Sequence, residues 1–451
     1  MDFSEDRSVN SGFGRITQKL RSNRKADRIQ STLNLLQKKD YRKLWASEFI
    51  SEIGNYFSFF GVIFYVIELT KNEGTVETAQ TLAVIVTFQV IPTLTVGPFV
   101  GVLVDRLDRK KILLGTNLLG FLVTVGYSLS SNVHQLYLLV VLHSFVRLIF
   151  YPTRTAILPR LVEKDQLLHA NSMIQISVQF SRLIGPLLAG IVLSQFGFSA
   201  GFLTDGGTYL IAGAMVFTIG TNLKPRRMDG KRFSPLEDMK GAIEIIKGRP
   251  QLKYLFSSSF ILLVGVGVLD PLLAPFLNSA FGYSPKEFGL LLALSAICGA
   301  IAAFLLIARG EFSNKLKMIG LGYLLGGFSL ILMAEASLQN NNGYLLLAAG
   351  MLGVVNVAIY ILTATFIQET VEDTNLGKIN GIFATNLVLG QLIGSLLASW
   401  LIRHFAYEQI FLLVGTVVAL SGLASIYSVV KFKLDRQVTE RSSTGAVGIG
   451  K

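Results

Sequence analysis

Ile184-Gly185-Pro186-Leu187-Leu188-Ala189 returns later in the chain as Ile393-Gly394-Ser395-Leu396-Leu397-Ala398. At the same offset, without a gap, Val162-Glu163 pairs with Val371-Glu372, Leu167 with Leu376, and Asn171 with Asn380. Over 151–206 against 360–415, about 15 of roughly 56 positions are identical. Apolar composition alone would supply roughly half of that. It would not supply a matching Glu and Asn. We read the chain as a duplication.

What is duplicated is a set of membrane spans. Of 451 residues, 51% are hydrophobic and only 16% charged, against about 25% charged in a soluble domain. Mean hydropathy is +0.53. A spanning helix needs roughly 20 apolar residues, and the sequence predicts twelve: 44–69, 79–104, 112–131, 135–156, 171–195, 199–222, 254–279, 287–308, 318–337, 343–368, 379–403 and 407–430. The longest internal loop divides them into six and six. Two parallel repeats of six imply a substrate site between the halves, near the midplane, opened alternately to each side. The fold class is all-α integral membrane, twelve transmembrane helices in two pseudo-symmetric halves.

A single Cys (Cys298) excludes a disulfide framework, a Cys-based zinc site and an iron–sulfur cluster. No nucleotide loop, metal constellation or nucleophile motif is present, so no cofactor, no metal and no catalysis are expected. The net charge of +12 does not imply nucleic acid. With the N-terminus in the cytosol, roughly three of the 41 Lys and Arg (Lys71, Lys286, Arg403) fall outside. The basic excess is topogenic and faces membrane lipid headgroups.

The predicted organisation is a polar basic cytosolic tail (1–39), a six-helix half (40–223), a cytosolic linker (224–253), a second half (254–433) and a disordered cytosolic tail (434–451). The first tail lacks the apolar run and cleavage site of a secretory signal. In the linker, Ser234-Pro235-Leu236-Glu237 reads as a capping box with Pro at the first helical position. Leu236, Met239, Ile243 and Ile246 then share a face before Gly248 and Pro250 stop the helix. This is an amphipathic helix for the membrane surface.

After the second span comes Gly97-Pro98-Phe99-Val100-Gly101-Val102-Leu103-Val104-Asp105-Arg106-Leu107-Asp108-Arg109-Lys110-Lys111. This closely resembles the loop 2–3 signature of the major facilitator superfamily, with Asp108 in place of its second Gly. That substitution, with Phe150-Tyr151-Pro152-Thr153-Arg154, Ala156-Ile157-Leu158-Pro159 and Ala170-Asn171, resembles the enterobactin- and macrolide-exporter-like branch. Gly377-Lys378, before the eleventh span, is similar to the signature of the second half. The resemblance runs from about Asp40 to Lys433 and implies a major facilitator fold. It also implies a gate built on Gly97, Gly101, Asp105, Arg106, Arg109 and Lys110. Asp105 at a helix C-terminus is disfavoured by the dipole by roughly 0.3–1 kcal/mol, so it needs cationic partners or the N-terminus near Gly377. We expect a charge latch. Gly185, Pro186 and Gly190 resemble the exporters' antiporter motif, with Ala189 and Ser181 departing from it; a small-residue packing face is the alternative.

Charges inside spans cost about 2.5–3.5 kcal/mol or more at the centre. Glu48 and Glu52 lie one turn apart on the first span, with Asn55 beyond. Arg147 and His143 lie on the fourth span, Arg182 on the fifth and Asp270, beside Pro271, on the seventh. Glu52, Arg147 and Arg182 each lie roughly 12–17 Å from the cytosolic end of their helices, which predicts one cluster. We assign proton coupling to Glu52, Arg147, Arg182 and Glu48, and cavity lining to Asn55, Asp270 and Asn356. Glu48 is near enough to the interface to snorkel. Asp270 could instead cap a helix break at Pro271. His143 reads as a packed or hydrogen-bonded histidine, and Asp205 as interfacial.

The expected function is proton-antiport export of amphipathic small molecules, drug-, macrolide- or siderophore-like, by a monomeric permease of the plasma membrane with both termini cytoplasmic. The partners are substrate, protons and lipid. A lysophospholipid flippase or uncoupled facilitator is the alternative within transport. A non-transporting receptor or assembly partner is the alternative from another class.

Overall fold

The structure, a computed structural model, describes residues 35–97, 99–100, 104, 107–163, 166–223, 235–309 and 314–432. Four helices come first: α1 (Lys39–Leu69), α2 (Thr75–Thr95), α3 (Arg109–Leu129) and α4 (Val133–Leu161). Next are α5 (Leu167–Phe217) and the linker helix α6 (Pro235–Gly248). The second half holds α7 (Pro250–Phe281), α8 (Pro285–Arg309), α9 (Lys315–Leu338), α10 (Asn342–Thr370), α11 (Asp373–Leu401) and α12 (Tyr407–Lys431). Exposed Leu, Ile and Phe side chains such as Leu129, Leu138, Phe196 and Phe304 stud the outside, as lipid-facing helices require.

Eleven of these helices are long and apolar enough to cross a membrane, where the sequence predicts twelve spans. The difference is α5. Its continuous helical stretch runs through Gly197, whose φ of 82° no helix accommodates and glycine tolerates. There the chain folds back, because a Cβ on Gly201 would overlap Leu193. In a straight helix those two residues would stand about 12 Å apart. The arms of α5 on either side of Gly197 therefore act as the fifth and sixth spans.

The duplication is visible in the packing. The first arm of α5 lies on α1 as α11 lies on α7, and α3 pairs with α4 as α9 pairs with α10. Gly185 packs against Tyr56 of α1, and its repeat partner Gly394 against Val264 and Gly267 of α7. The next residue of each repeat crosses to the opposite half. The Pro186 carbonyl meets Gly289 of α8, and Ser395 Oγ lies 3.1 Å from Thr87 Oγ1 of α2.

These crossings lie at one face, which carries the α1–α2, α7–α8 and α11–α12 turns. There Gln80 Nε2 donates to the Ser399 carbonyl at 3.3 Å, and Tyr407 Oη to the Thr75 carbonyl at 3.2 Å. Phe60 and Phe64 pack edge-on against Phe288, with ring centres 5.1 and 5.5 Å apart. At the opposite face, which carries the chain tails, Lys38 bonds Glu163, Arg249 reaches Glu372 and Lys315 bonds Glu369, and none of these pairs joins the first half to the second. The halves meet at the turn face.

Helix α6 begins at Pro235 and ends at Gly248, as its sequence predicts; Ser234 of the capping box lies outside the described residues. Helix α7 runs unbroken through Pro271 and Pro275, so Asp270 caps no break. The tails 1–34 and 433–451 also lie outside the described residues.

Candidate functional site

Helices α1 and α4 run antiparallel in the first half, and their polar residues face each other in register. Glu48 is ion-paired with Arg154. Tyr151 Oη donates to Glu52 Oε1 at 2.6 Å and is hydrogen-bonded to Arg147 as well. One turn further along α1, Asn55 Oδ1 accepts from Tyr209 Oη of α5 at 3.1 Å. Tyr209 Oη lies 2.9 Å from His143 Nε2, whose Nδ1 lies 3.4 Å from Tyr127 Oη. The ladder arises because the i, i+4 and i+7 positions of a helix share a face, which puts Glu48, Glu52 and Asn55 on one stripe and Arg154, Tyr151, Arg147 and His143 on the other.

A small cavity with room for about one water, partly open to solvent, sits in this ladder. Glu48, Ser51, Glu52, Asn55, Thr116, Asn117, Val146, Arg147, Phe150, Tyr151 and Tyr209 line it. Tyr56 lies within electrostatic range of Arg182, Glu52 and Arg147 together.

Two residues differ from their sequence reading. Glu48 does not snorkel: it is 2% exposed and held by Arg154, a partner named in the sequence only as part of a motif. Asp205 is not interfacial but fully buried beside Ser58 and Thr208. His143 is hydrogen-bonded, as expected.

In the second half, Gln391 Nε2 donates to Asp270 Oδ2 at 3.1 Å. Gln391 is the repeat counterpart of Arg182, so the halves place a polar group at matching points on α5 and α11. Asn356 is exposed on α10, apart from the α1–α4 ladder.

Of the gate residues, Gly101, Asp105 and Arg106 lie outside the described residues. Gly97 makes only ordinary contact with Leu148 and Thr93. Arg109 donates to the Ala156 carbonyl at 3.2 Å, and Lys110 Nζ to the Ile219 carbonyl at 2.6 Å. Both satisfy carbonyls near helix C-termini, where cations are favoured. Asp108 caps α3 by accepting from the Lys110 amide at 3.0 Å. Gly377 and Lys378 are exposed at the start of α11, with open space around Gly377.

The α5 motif lies where the halves touch. A Cβ on Gly190 would stand 2.6 Å from the Pro285 carbonyl oxygen and 3.2 Å from Lys286 Cα, backbone atoms that cannot rotate away. Gly190→Val should therefore hold the turn face apart. Overpacking of about 1–3 kcal/mol shifts the equilibrium roughly 5- to 150-fold toward the state open at that face. The check is thiol labelling of Gln80→Cys in a Cys298→Ser background. Faster labelling in Gly190→Val is expected, and an unchanged rate would show that the contact does not set the closure.

The described chain matches the Major Facilitator Superfamily model over residues 49–262 and 255–447. It is 23% identical to the staphyloferrin A transporter of Staphylococcus aureus, over 82% of this chain and 91% of that protein. It is 24% identical to macrolide efflux protein A of Streptococcus pyogenes, over 83% and 92%. With the enterobactin exporter of Citrobacter koseri it shares 24% identity over 66% and 71%. Among solved structures, the nucleoside transporter NupG superposes with a TM-score of 0.66 at 12% identity, covering 86% of this chain and 98% of that one.

Proposed function

Since the chain belongs to the major facilitator superfamily, and is thus a multi-pass membrane transporter of small molecules rather than an enzyme, we propose that it exports amphipathic compounds by proton antiport. The observation that carries this reading is the Glu52–Tyr151–Arg147 group at the wall of a cavity. A carboxyl takes up a proton as a cation leaves it and releases one as the cation returns. A movement that changes the spacing in this group therefore links opening of the cavity to protonation. The names of the efflux and exporter relatives support outward transport.

In this reading the tail face is cytosolic, because Lys71, Lys286 and Arg403 are the few Lys and Arg at the turn face among the described residues. The structure is then the state closed to the outside. Asp105, with Arg106 and Gly101, would latch the cytosolic ends in the other state. In cells with and without the protein, intracellular accumulation of a macrolide, a catecholate siderophore and an amphipathic dye should fall with it. A protonophore should restore accumulation. Equal accumulation of all three would overturn the reading.

Orientation has its own test. In a Cys298→Ser background, Gly74→Cys and Asn341→Cys should react with an impermeant thiol reagent added outside intact cells, and Lys111→Cys and Lys247→Cys should not. The reverse pattern would invert the gate assignments.

A further inference from the structure

Asp205, on the second arm of α5, is hydrogen-bonded to Ser58 and Thr208 rather than to the Glu52–Arg147 group, and it is the most deeply enclosed acid described. It is 0% exposed. Ser58 donates a hydrogen bond to Oδ2, and Thr208 donates one to Oδ1 at 3.2 Å. Gly54 of α1 packs so closely that a Cβ there would stand 2.6 Å from Oδ1. Tyr127 of α3, Tyr209 of its own helix and Arg147 of α4 lie within electrostatic range. Among the described residues no cation forms an ion pair with it. A carboxylate enclosed in this way costs several kcal/mol unless a cation neutralises it, and two hydroxyl donors do not supply that.

We propose that Asp205 is a second proton-binding carboxyl, occupied by a proton in this conformation and connected to the Glu52 cavity by the Tyr209–His143–Tyr127 chain. Tyr209 lines the cavity, so water there can hand it a proton. Tyr209 turns its hydroxyl from Asn55 and passes that proton to His143 Nε2 as it takes one from the water, and His143 releases the Nδ1 proton to Tyr127. Each member gives one proton and receives one, so the chain carries no net charge once transfer is complete. The last hop, from Tyr127 to the carboxyl, needs a side-chain rotation or one bridging water. The first half then holds two carboxyls that can be loaded at different depths, Glu52 at the cavity and Asp205 nearer the turn face. The use of this proton in transport rests on the antiport reading. Its presence does not.

The test needs no substrate. Purified protein in detergent at neutral pH should show the infrared C=O stretch of a protonated carboxylic acid. Asp205→Asn should remove it and Glu52→Gln should leave it. If Asp205→Asn does not fold, Ser58→Ala serves instead, because loss of the hydroxyl partner should shift the same band. On transfer to heavy water the band should move as the proton exchanges. Tyr209→Phe should slow that exchange by about 100-fold, the order at which a positioned relay group acts. A band that persists in Asp205→Asn, or is unmoved by Ser58→Ala, overturns the site. An unchanged exchange rate in Tyr209→Phe overturns the chain. Loss of the band when sodium replaces potassium would make this a metal-cation site and also overturn the proposal. A protein that shows the band but exports nothing under a pH gradient would refute the antiport reading alone.

Discussion

Glu52→Gln is expected to abolish accumulation driven by a pH gradient while leaving exchange between equal compartments. The argument starts from thermodynamics. One pH unit is worth about 1.4 kcal/mol per proton, so one-for-one antiport supports roughly a tenfold concentration ratio per unit. An amide cannot carry the proton, so the ratio should fall to about one. Glutamine keeps an acceptor for the Tyr151 hydroxyl, so the α1–α4 contact and the binding surface survive. Arg147→Ala is expected to behave differently. It removes a hydrogen-bond partner of Tyr151 and the charge near Glu52, so both driven accumulation and exchange should drop. The measurement is uptake into inside-out proteoliposomes, using whichever test compound the cells export. Accumulation by Glu52→Gln equal to the parent's would move the coupling to another carboxyl: Glu48, Asp205 or Asp270.

The parts of this arrangement that follow from position along one helix were legible in the sequence. Depth is a count of residues, and the count brought Glu52, Arg147 and Arg182 to one level. Tyr56 lies within electrostatic range of all three. The repeat was legible because it is a pattern of identities, and it marks equivalent contacts in the two halves. Pairing across helices was not legible, because it depends on rotation about each axis. The Glu48–Arg154 pair therefore went unread, although Arg154 lies two turns beyond Arg147 on the same face. Asp205 was misread for another reason. The fifth and sixth spans turn back at a single glycine, Gly197, so the sixth is already enclosed where a longer loop would still be at the interface. The clue was Gly201 and Gly206 on either side of Asp205, where Leu193 and Thr124 approach too closely for a Cβ.

Arg154→Ala is expected to be the most destabilising single change in the ladder. Glu48 has a side chain only 3% exposed, and Arg154 one 15% exposed. The second carboxylate oxygen of Glu48 finds no hydrogen-bond partner among the described residues, so Arg154 is its principal support. A buried ion pair adds little net stability once both charges have lost water. Breaking it from one side is another matter, because the remaining charge keeps its desolvation cost and loses its partner, typically about 3–5 kcal/mol. An apparent melting temperature lowered by roughly 5 °C or more should follow. Glu48→Gln should cost less, because Arg154 still lies over the Tyr151 ring at 5.5 Å and reaches the rim. The double variant Glu48→Gln with Arg154→Ala should then be more stable than Arg154→Ala alone, since no uncompensated carboxylate remains. Size-exclusion profiles of the detergent-solubilised proteins after stepwise heating would measure all three. If the double variant loses as much as the two single changes added together, the pair is not coupled, and Arg154 acts through its contact with Tyr151 instead.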